Sequence, residues 1–132
     1  MTIKWDCKKQ GCYKDVSLPD WAMLNGCFGL TKVSAGDIDG VAYQNGKCLF
    51  FEKKFPGGLL EQTQIRVINS LVSQGNSVIA IWCEKPDGSD IKYMRVWGVK
   101  DYDPEQRFQA GLADFRAAVS VWWRYQYIGK CA

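Results

Sequence analysis

The segment Gly36–Lys54, "GDIDGVAYQNGKCLFFEKK", contains the information that decides the fold. Two apolar runs flank the pair Asn45-Gly46, which favours a tight hairpin turn because such a turn needs positive φ at both central residues. The segment therefore predicts two antiparallel strands at about 37–44 and 47–54. Charged residues interrupt these apolar runs, namely Asp37, Asp39, Glu52 and Lys54.

The geometry of a hairpin predicts where these charges lie. A turn at Asn45-Gly46 places Asp39 directly opposite Glu52, and it places Asp37 opposite Lys54. Because side chains alternate with period two, all four share one face of the sheet. Two opposed carboxylates repel each other unless a cation lies between them, and oxygen ligands suit Mg²⁺ or Mn²⁺. The alternative is a solvated sheet face with mixed charges, which is common in strands.

The rest of the chain predicts a single α/β domain of 132 residues. Residues 1–35 are irregular and contain cysteines, and residues 36–128 form the core. The patterns predict a short helix at Leu18–Leu24, a helix at 59–74, strands at 77–84 and 91–99, and a last helix that begins at Asp103-Pro104-Glu105. The fold class is therefore α/β, with a small mixed sheet that contains the antiparallel hairpin and is flanked by helices.

Composition excludes several kinds of site. The chain has no histidine, which excludes Ser-His and Cys-His catalysis and every histidine-based metal site. No apolar segment is long enough to span a membrane, so we expect no membrane partner, a cytoplasmic location and free thiols. A structural Zn²⁺ held by Cys7, Cys12 and Cys27 is the alternative for the N-terminal cysteines, although their spacing is not that of a CxxC pair.

An acidic residue, a hairpin, the sequence Glu52-Lys53-Lys54 and a helix that carries Gln64 follow one another along the chain. In this order the chain resembles the PD-(D/E)XK nuclease superfamily, which includes Holliday-junction resolvases and small phage nucleases. The resemblance covers the residues from Gly36 to Glu84. It implies a restriction-endonuclease-like core and a phage-type, Mg²⁺-dependent endonuclease that hydrolyses DNA phosphodiester bonds.

The resemblance also implies roles for individual residues. Asp39 and Glu52 would bind the metal, together with the main-chain carbonyl of Lys53. Lys54 would assist the attacking water or the phosphate, and Gln64 would hold Lys54 or the nucleophile in place. Two roles remain for Asp37, which are an additional metal ligand and an ion-pair partner of Lys54. A further acid on a first helix would be Asp15, Asp20 or neither.

Nucleic acid would approach this face of the sheet. Basic residues suited to phosphate contacts are Lys8, Lys9, Lys14 and Lys53, for each of which a solvated surface is the alternative. Cutting both DNA strands would favour a homodimer. The second class of function is a catalytically silent module with the nuclease fold, which binds nucleic acid or a protein partner through the same face.

Overall fold

The computed structural model describes residues 21–29 and 38–131, with side chains described as far as residue 125. The chain divides into two units, Met1–Asp37 and Ile38–Ala132. In the described part of the first unit, Trp21–Leu24 forms a 3₁₀ helix, which covers the end of the predicted helix at Leu18–Leu24. The preceding residues of that prediction lie outside the described residues.

The second unit contains a five-stranded mixed sheet and two α-helices, which confirms the predicted α/β class at this level. In chain order the elements are β1 (Gly40–Gln44), β2 (Lys47–Lys54), α1 (Gln62–Ser73), β3 (Ser77–Trp82), β4 (Tyr93–Trp97), β5 (Phe108–Gln109) and α2 (Leu112–Cys131). The strands lie side by side in chain order. Among the described strands, β2 and β3 are the parallel pair, because helix α1 connects them and carries the chain back to the end of the sheet at which β2 began.

The hairpin has the predicted register. Gln44 pairs with Lys47, and Gly40 pairs with Phe51 at the other end of β1. Asn45 and Gly46 have φ angles of 54° and 81°, as a type I′ turn requires. The first strand begins at Gly40 rather than at residue 37, so Asp39 lies just outside the paired part of the hairpin.

Helix α1 ends where the sequence predicts, at Gly75 and Asn76. The Asn76 N–H donates to the Leu71 carbonyl at 3.1 Å, and the Gly75 N–H donates to the Val72 carbonyl at 2.9 Å. These two bonds form a Schellman motif, which satisfies carbonyls at the end of the helix. The Asn76 side chain then accepts the Cys48 N–H at 3.0 Å, so the end of α1 is fastened to β2.

The two faces of the sheet have different cores. On the α1 side, the buried residues are Ile68, Val78, Ala80, Trp82 and Trp97. On the α2 side, they include Leu49, Ile79, Met94, Val96, Ala118 and Trp122. Strand β3 is buried on both faces, as its continuous apolar run predicts.

The start of the last helix differs from the prediction. Asp103 accepts the Glu105 N–H at 2.9 Å in a local turn, and the chain then forms β5 before α2 begins at Leu112. The helix is capped later, where Asp114 accepts the Gly111 N–H at 2.8 Å. Phe108, predicted to lie on this helix, is therefore a strand residue. Among the described residues, no helix has the length and apolar character needed to cross a membrane.

Candidate functional site

The predicted catalytic residues of β2 lie on the face of the sheet that α1 covers. Glu52 pairs with Ala80 of β3, and Lys54 pairs with Trp82. Since Ala80 and Trp82 both belong to the core beneath α1, Glu52 and Lys54 project from that same face. They lie towards the carboxyl ends of the two parallel strands, the edge at which open α/β sheets commonly bind ligands.

Glu52 and Lys54 form an ion pair with partly buried side chains. The Lys54 Nζ lies 3.4 Å from the Glu52 Oε1, and the side chains are 19% and 23% exposed, respectively. Burial raises the pKa of Glu52 above its ordinary value, and the charge of Asp39 raises it further. The charge of Lys54 and hydrogen bonds from Lys54 and Gln64 oppose this increase. Burial and the negative charge of Asp39 therefore both disfavour the ionised form of Glu52.

Asp39 lies in a bend immediately before β1 and interacts with the end of β2. Its Oδ2 accepts the backbone N–H of Lys53 at 2.8 Å. The side chain thereby satisfies a donor of β2 just past the last β1–β2 pair, Gly40 with Phe51. The sequence predicts Asp39 directly opposite Glu52. In the structure the strand pairs end at Gly40 and Phe51, and the Asp39 carboxylate is instead held by the main-chain N–H of Lys53.

The main chain and the side chain of Lys53 lie in different environments. Within a strand, the N–H and C=O of one residue point to the same side, so the Lys53 carbonyl faces the side on which Asp39 lies. The Lys53 Nζ instead donates to the Glu84 carbonyl at 3.2 Å and lies 4.5 Å from the centre of the Phe55 ring. Its side chain thus belongs to the opposite face from Lys54.

Gln64 links the start of α1 to Glu52. Its Oε1 accepts the Glu61 N–H at 3.0 Å as part of a capping box, and its Nε2 donates to the Glu52 Oε1 at 3.2 Å. The sequence predicted that this residue would hold Lys54 or the nucleophile. In the structure its partner in the site is Glu52, and the capping bond fixes the orientation of its amide.

The two bonds of Gln64 predict a measurable effect on stability. We expect Gln64→Ala to lower the free energy of unfolding by about 1 kcal/mol, because the Glu61 N–H and the Glu52 carboxylate each lose a partner. Gln62→Ala is the matched control, since Gln62 is an exposed residue of the same helical turn. Urea unfolding of both variants measures the difference. Equal stability of the two variants would show that the bonds of Gln64 contribute nothing.

The donor set of this site fits a divalent cation. Within the described residues, Glu52 uses only Oε1 for its contacts and Asp39 uses only Oδ2, which leaves one oxygen of each carboxylate for another ligand. Burial and, after it, the charge of Asp39 raise the pKa of Glu52, and a bound cation would offset both effects. No cluster of three acidic, cysteine or histidine side chains suited to a metal occurs in the described part of the chain. The candidate oxygen donors are the two carboxylates and the main-chain carbonyl of Lys53.

Sequence reasoning missed two arginines near this site. Arg95 pairs with Ala80, whose other neighbour is Glu52, so Glu52 and Arg95 lie in one row across the sheet. Arg107 precedes β5 and lies over the Tyr93 and Trp82 rings. The alternation of "YMRVW" places Arg95 on one face with Tyr93 and could have indicated its position. No local sequence pattern indicates the position of Arg107.

Several predicted site residues lie outside the described residues. They are Asp37, the lysines Lys8, Lys9 and Lys14, the acids Asp15 and Asp20, and the cysteines Cys7 and Cys12. Cys27 of the predicted zinc site is described, and it is an exposed free thiol.

Comparison with known proteins gives no relative: no family model, no curated protein and no solved structure matches the chain.

Proposed function

We propose that this protein is a metal-dependent nuclease that hydrolyses DNA phosphodiester bonds, and that its sheet is a restriction-endonuclease-like core. One observation carries the proposal. Glu52 and Lys54 form an ion pair at the end of a hairpin, and the Asp39 carboxylate accepts the N–H of Lys53, the residue between them. Gln64 of the next helix donates to the Glu52 carboxylate. Glu52 and Lys54 are partly buried, and Asp39 is an exposed acid whose charge acts on Glu52. Two acids and a lysine so close together are costly for a structural surface, but they suit phosphoryl chemistry.

Each residue has a role in this proposal. Asp39 and Glu52 would hold a Mg²⁺ or Mn²⁺ ion together with the carbonyl of Lys53, and such an ion, when bound, would polarise the phosphate and activate water. Lys54 places a positive charge beside the phosphate, where negative charge grows during the in-line displacement. Gln64 orients the Glu52 carboxylate through a bond that the capping box makes rigid.

The direct test is cleavage of nucleic acid in the presence and absence of divalent cations. With Mg²⁺ or Mn²⁺, we expect the purified protein to convert supercoiled plasmid to nicked or linear DNA, and we expect EDTA to abolish the reaction. Gel analysis of plasmid, branched DNA, flap DNA, single strands and RNA measures which substrate is preferred. Cutting that persists in EDTA would contradict the role of the metal.

Asp39→Asn, purified in parallel, is the matched control for contaminating nucleases. The asparagine side chain keeps an oxygen that can accept the Lys53 N–H, so the variant removes one charge and preserves the local contact. Cleavage by the wild type and not by Asp39→Asn supports the nuclease. DNA binding without cleavage by either protein would favour the catalytically silent module instead.

A further inference from the structure

Arg95 and Arg107 line an open cavity on the α1 face of the sheet. The cavity has a volume of about 270 Å³, and its other walls are Leu59, Leu60 and Trp82. Leu59 and Leu60 belong to the loop between β2 and α1, and the Trp82 Nε1 fastens that loop by donating to the Gly58 carbonyl at 2.8 Å. Two cationic groups and an apolar wall therefore face one small space.

Arg107 is exposed, but aromatic rings fix its position. The centre of its guanidinium lies 4.4 Å from the centre of the Tyr93 ring and 5.1 Å from that of the Trp82 ring. A guanidinium held over aromatic faces keeps its N–H groups available at its edge, where they can bind an anion. Arg107 forms no ion pair or hydrogen bond with any residue that the structure describes.

Arg95 is half-buried, and only part of its guanidinium contacts residues that the structure describes. Its Nε donates to the Pro104 carbonyl at 2.6 Å, and its guanidinium lies 4.5 Å from the centre of the Trp97 ring. Burial lowers the pKa of Arg95, whereas the charges of Glu105 and Asp103 raise it. An arginine remains protonated in proteins despite such a shift. Neither acid forms an ion pair with Arg95, and no other residue that the structure describes binds its terminal N–H groups, which therefore remain available.

The position of the cavity relative to Glu52 suggests its ligand. Glu52, Ala80 and Arg95 occupy consecutive strands in one row, so the Cα atoms of Glu52 and Arg95 are about 10 Å apart. One strand of nucleic acid could present one phosphate to the acidic site and a neighbouring phosphate to the arginines. The volume is below the range of typical small-molecule sites, about 300–1,000 Å³, which suits a phosphate with part of its sugar.

We propose that Arg95 and Arg107 form a second phosphate-binding subsite, which binds the nucleic-acid backbone beside the linkage that is cut. The planar forks of the two guanidinium groups suit phosphate oxygens, and the apolar wall of Leu59, Leu60 and Trp82 suits the sugar. This subsite rests on the proposed function, because it takes the same substrate strand as Asp39 and Glu52. It would supply phosphate contacts from residues that the structure describes, independently of the N-terminal lysines.

The test is a binding measurement in which the probe cannot be cut. We expect Arg107→Gln, in the Asp39→Asn background, to bind a short fluorescein-labelled DNA about tenfold more weakly than the background protein. The slope of log affinity against log salt concentration should also become shallower by about 0.7–0.9, because one phosphate contact is lost. Fluorescence anisotropy on a duplex and on its single strand gives both values. Arg95→Gln should weaken binding by a similar factor.

Arg116→Gln is the matched control, because Arg116 is an exposed residue of α2, which covers the opposite face of the sheet. Thermal unfolding of each variant shows whether weaker binding reflects a damaged fold. Unchanged affinity and salt slope in Arg107→Gln would overturn the subsite, even if the wild type cuts DNA. Weaker binding by this variant would support the subsite even if the wild type cuts nothing, and in that case the nuclease proposal alone fails. If the wild type does not bind DNA at all, both proposals fail.

Discussion

Replacing Lys54 with methionine is expected to reduce the rate of DNA cleavage by about 10²–10⁴-fold, while the affinity for DNA changes little. The ammonium group lies 3.4 Å from the Glu52 carboxylate, and its side chain is only 19% exposed. A positive charge in a partly buried place is less screened by water than one on the surface. It can therefore stabilise the charge that grows on the phosphate in the transition state.

The rate should be measured in single-turnover experiments with protein in excess, so that differences in binding do not contribute. Lys54→Arg tests whether charge alone is sufficient, and we expect it to recover only part of the rate because the guanidinium is larger and planar. Lys47→Met is the matched control on the same strand. It lies seven residues away, about 23 Å along β2, and we expect it to cut like the wild type. Equal loss in the Lys47 and Lys54 variants would exclude a specific role for Lys54.

The hairpin and one face of the site could be predicted because they depend on local chemistry. Asn45-Gly46 fixes the turn, the turn fixes the register, and the alternation of a strand then places Glu52 and Lys54 on one face. The end of α1 followed from Gly75-Asn76 for the same reason. These features need no information about distant parts of the chain.

The features that could not be predicted depend on tertiary contacts. Asp103-Pro104-Glu105 has the pattern of a helix start, but the structure uses it as a turn whose Pro104 carbonyl accepts the Arg95 Nε. The contact between Gln64 and Glu52 depends on how α1 lies on the sheet, which the periodicity of a helix does not determine. The bond from the Lys53 N–H to Asp39 arises because strand pairing stops at Gly40, and strand ends are the least predictable part of a strand.

Replacing Glu52 with glutamine is expected to abolish cleavage and, in the absence of metal, to make the protein more stable at neutral pH. Glutamine has the shape of a protonated glutamate and can still accept the bond from Gln64. It cannot carry the charge that burial and Asp39 disfavour. The pKa of Glu52 is raised in the folded protein, so the protonated form is the one that folding favours.

The sign of the pH dependence follows from this shift. Below the ordinary pKa of a glutamate, Glu52 is protonated in both the folded and unfolded states, and its contribution to stability is fully present. As the pH rises through the raised pKa of the folded protein, that contribution is lost. The melting temperature of Glu52→Gln should therefore match that of the wild type in acid. It should exceed the wild-type value by an increasing margin as the pH approaches neutrality.

Divalent cations should reverse this order. A ligand that binds only the folded state at a hundredfold excess over its Kd adds about 2.7 kcal/mol of stability. We therefore expect Mg²⁺ or Mn²⁺ to raise the melting temperature of the wild type by several degrees and to leave that of Glu52→Gln nearly unchanged. Differential scanning fluorimetry across pH, with and without metal, measures both effects without an activity assay. A wild type that does not respond to either cation would contradict metal binding at Glu52. A variant that responds as strongly as the wild type would contradict it too, because the cation effect would then not depend on the Glu52 carboxylate.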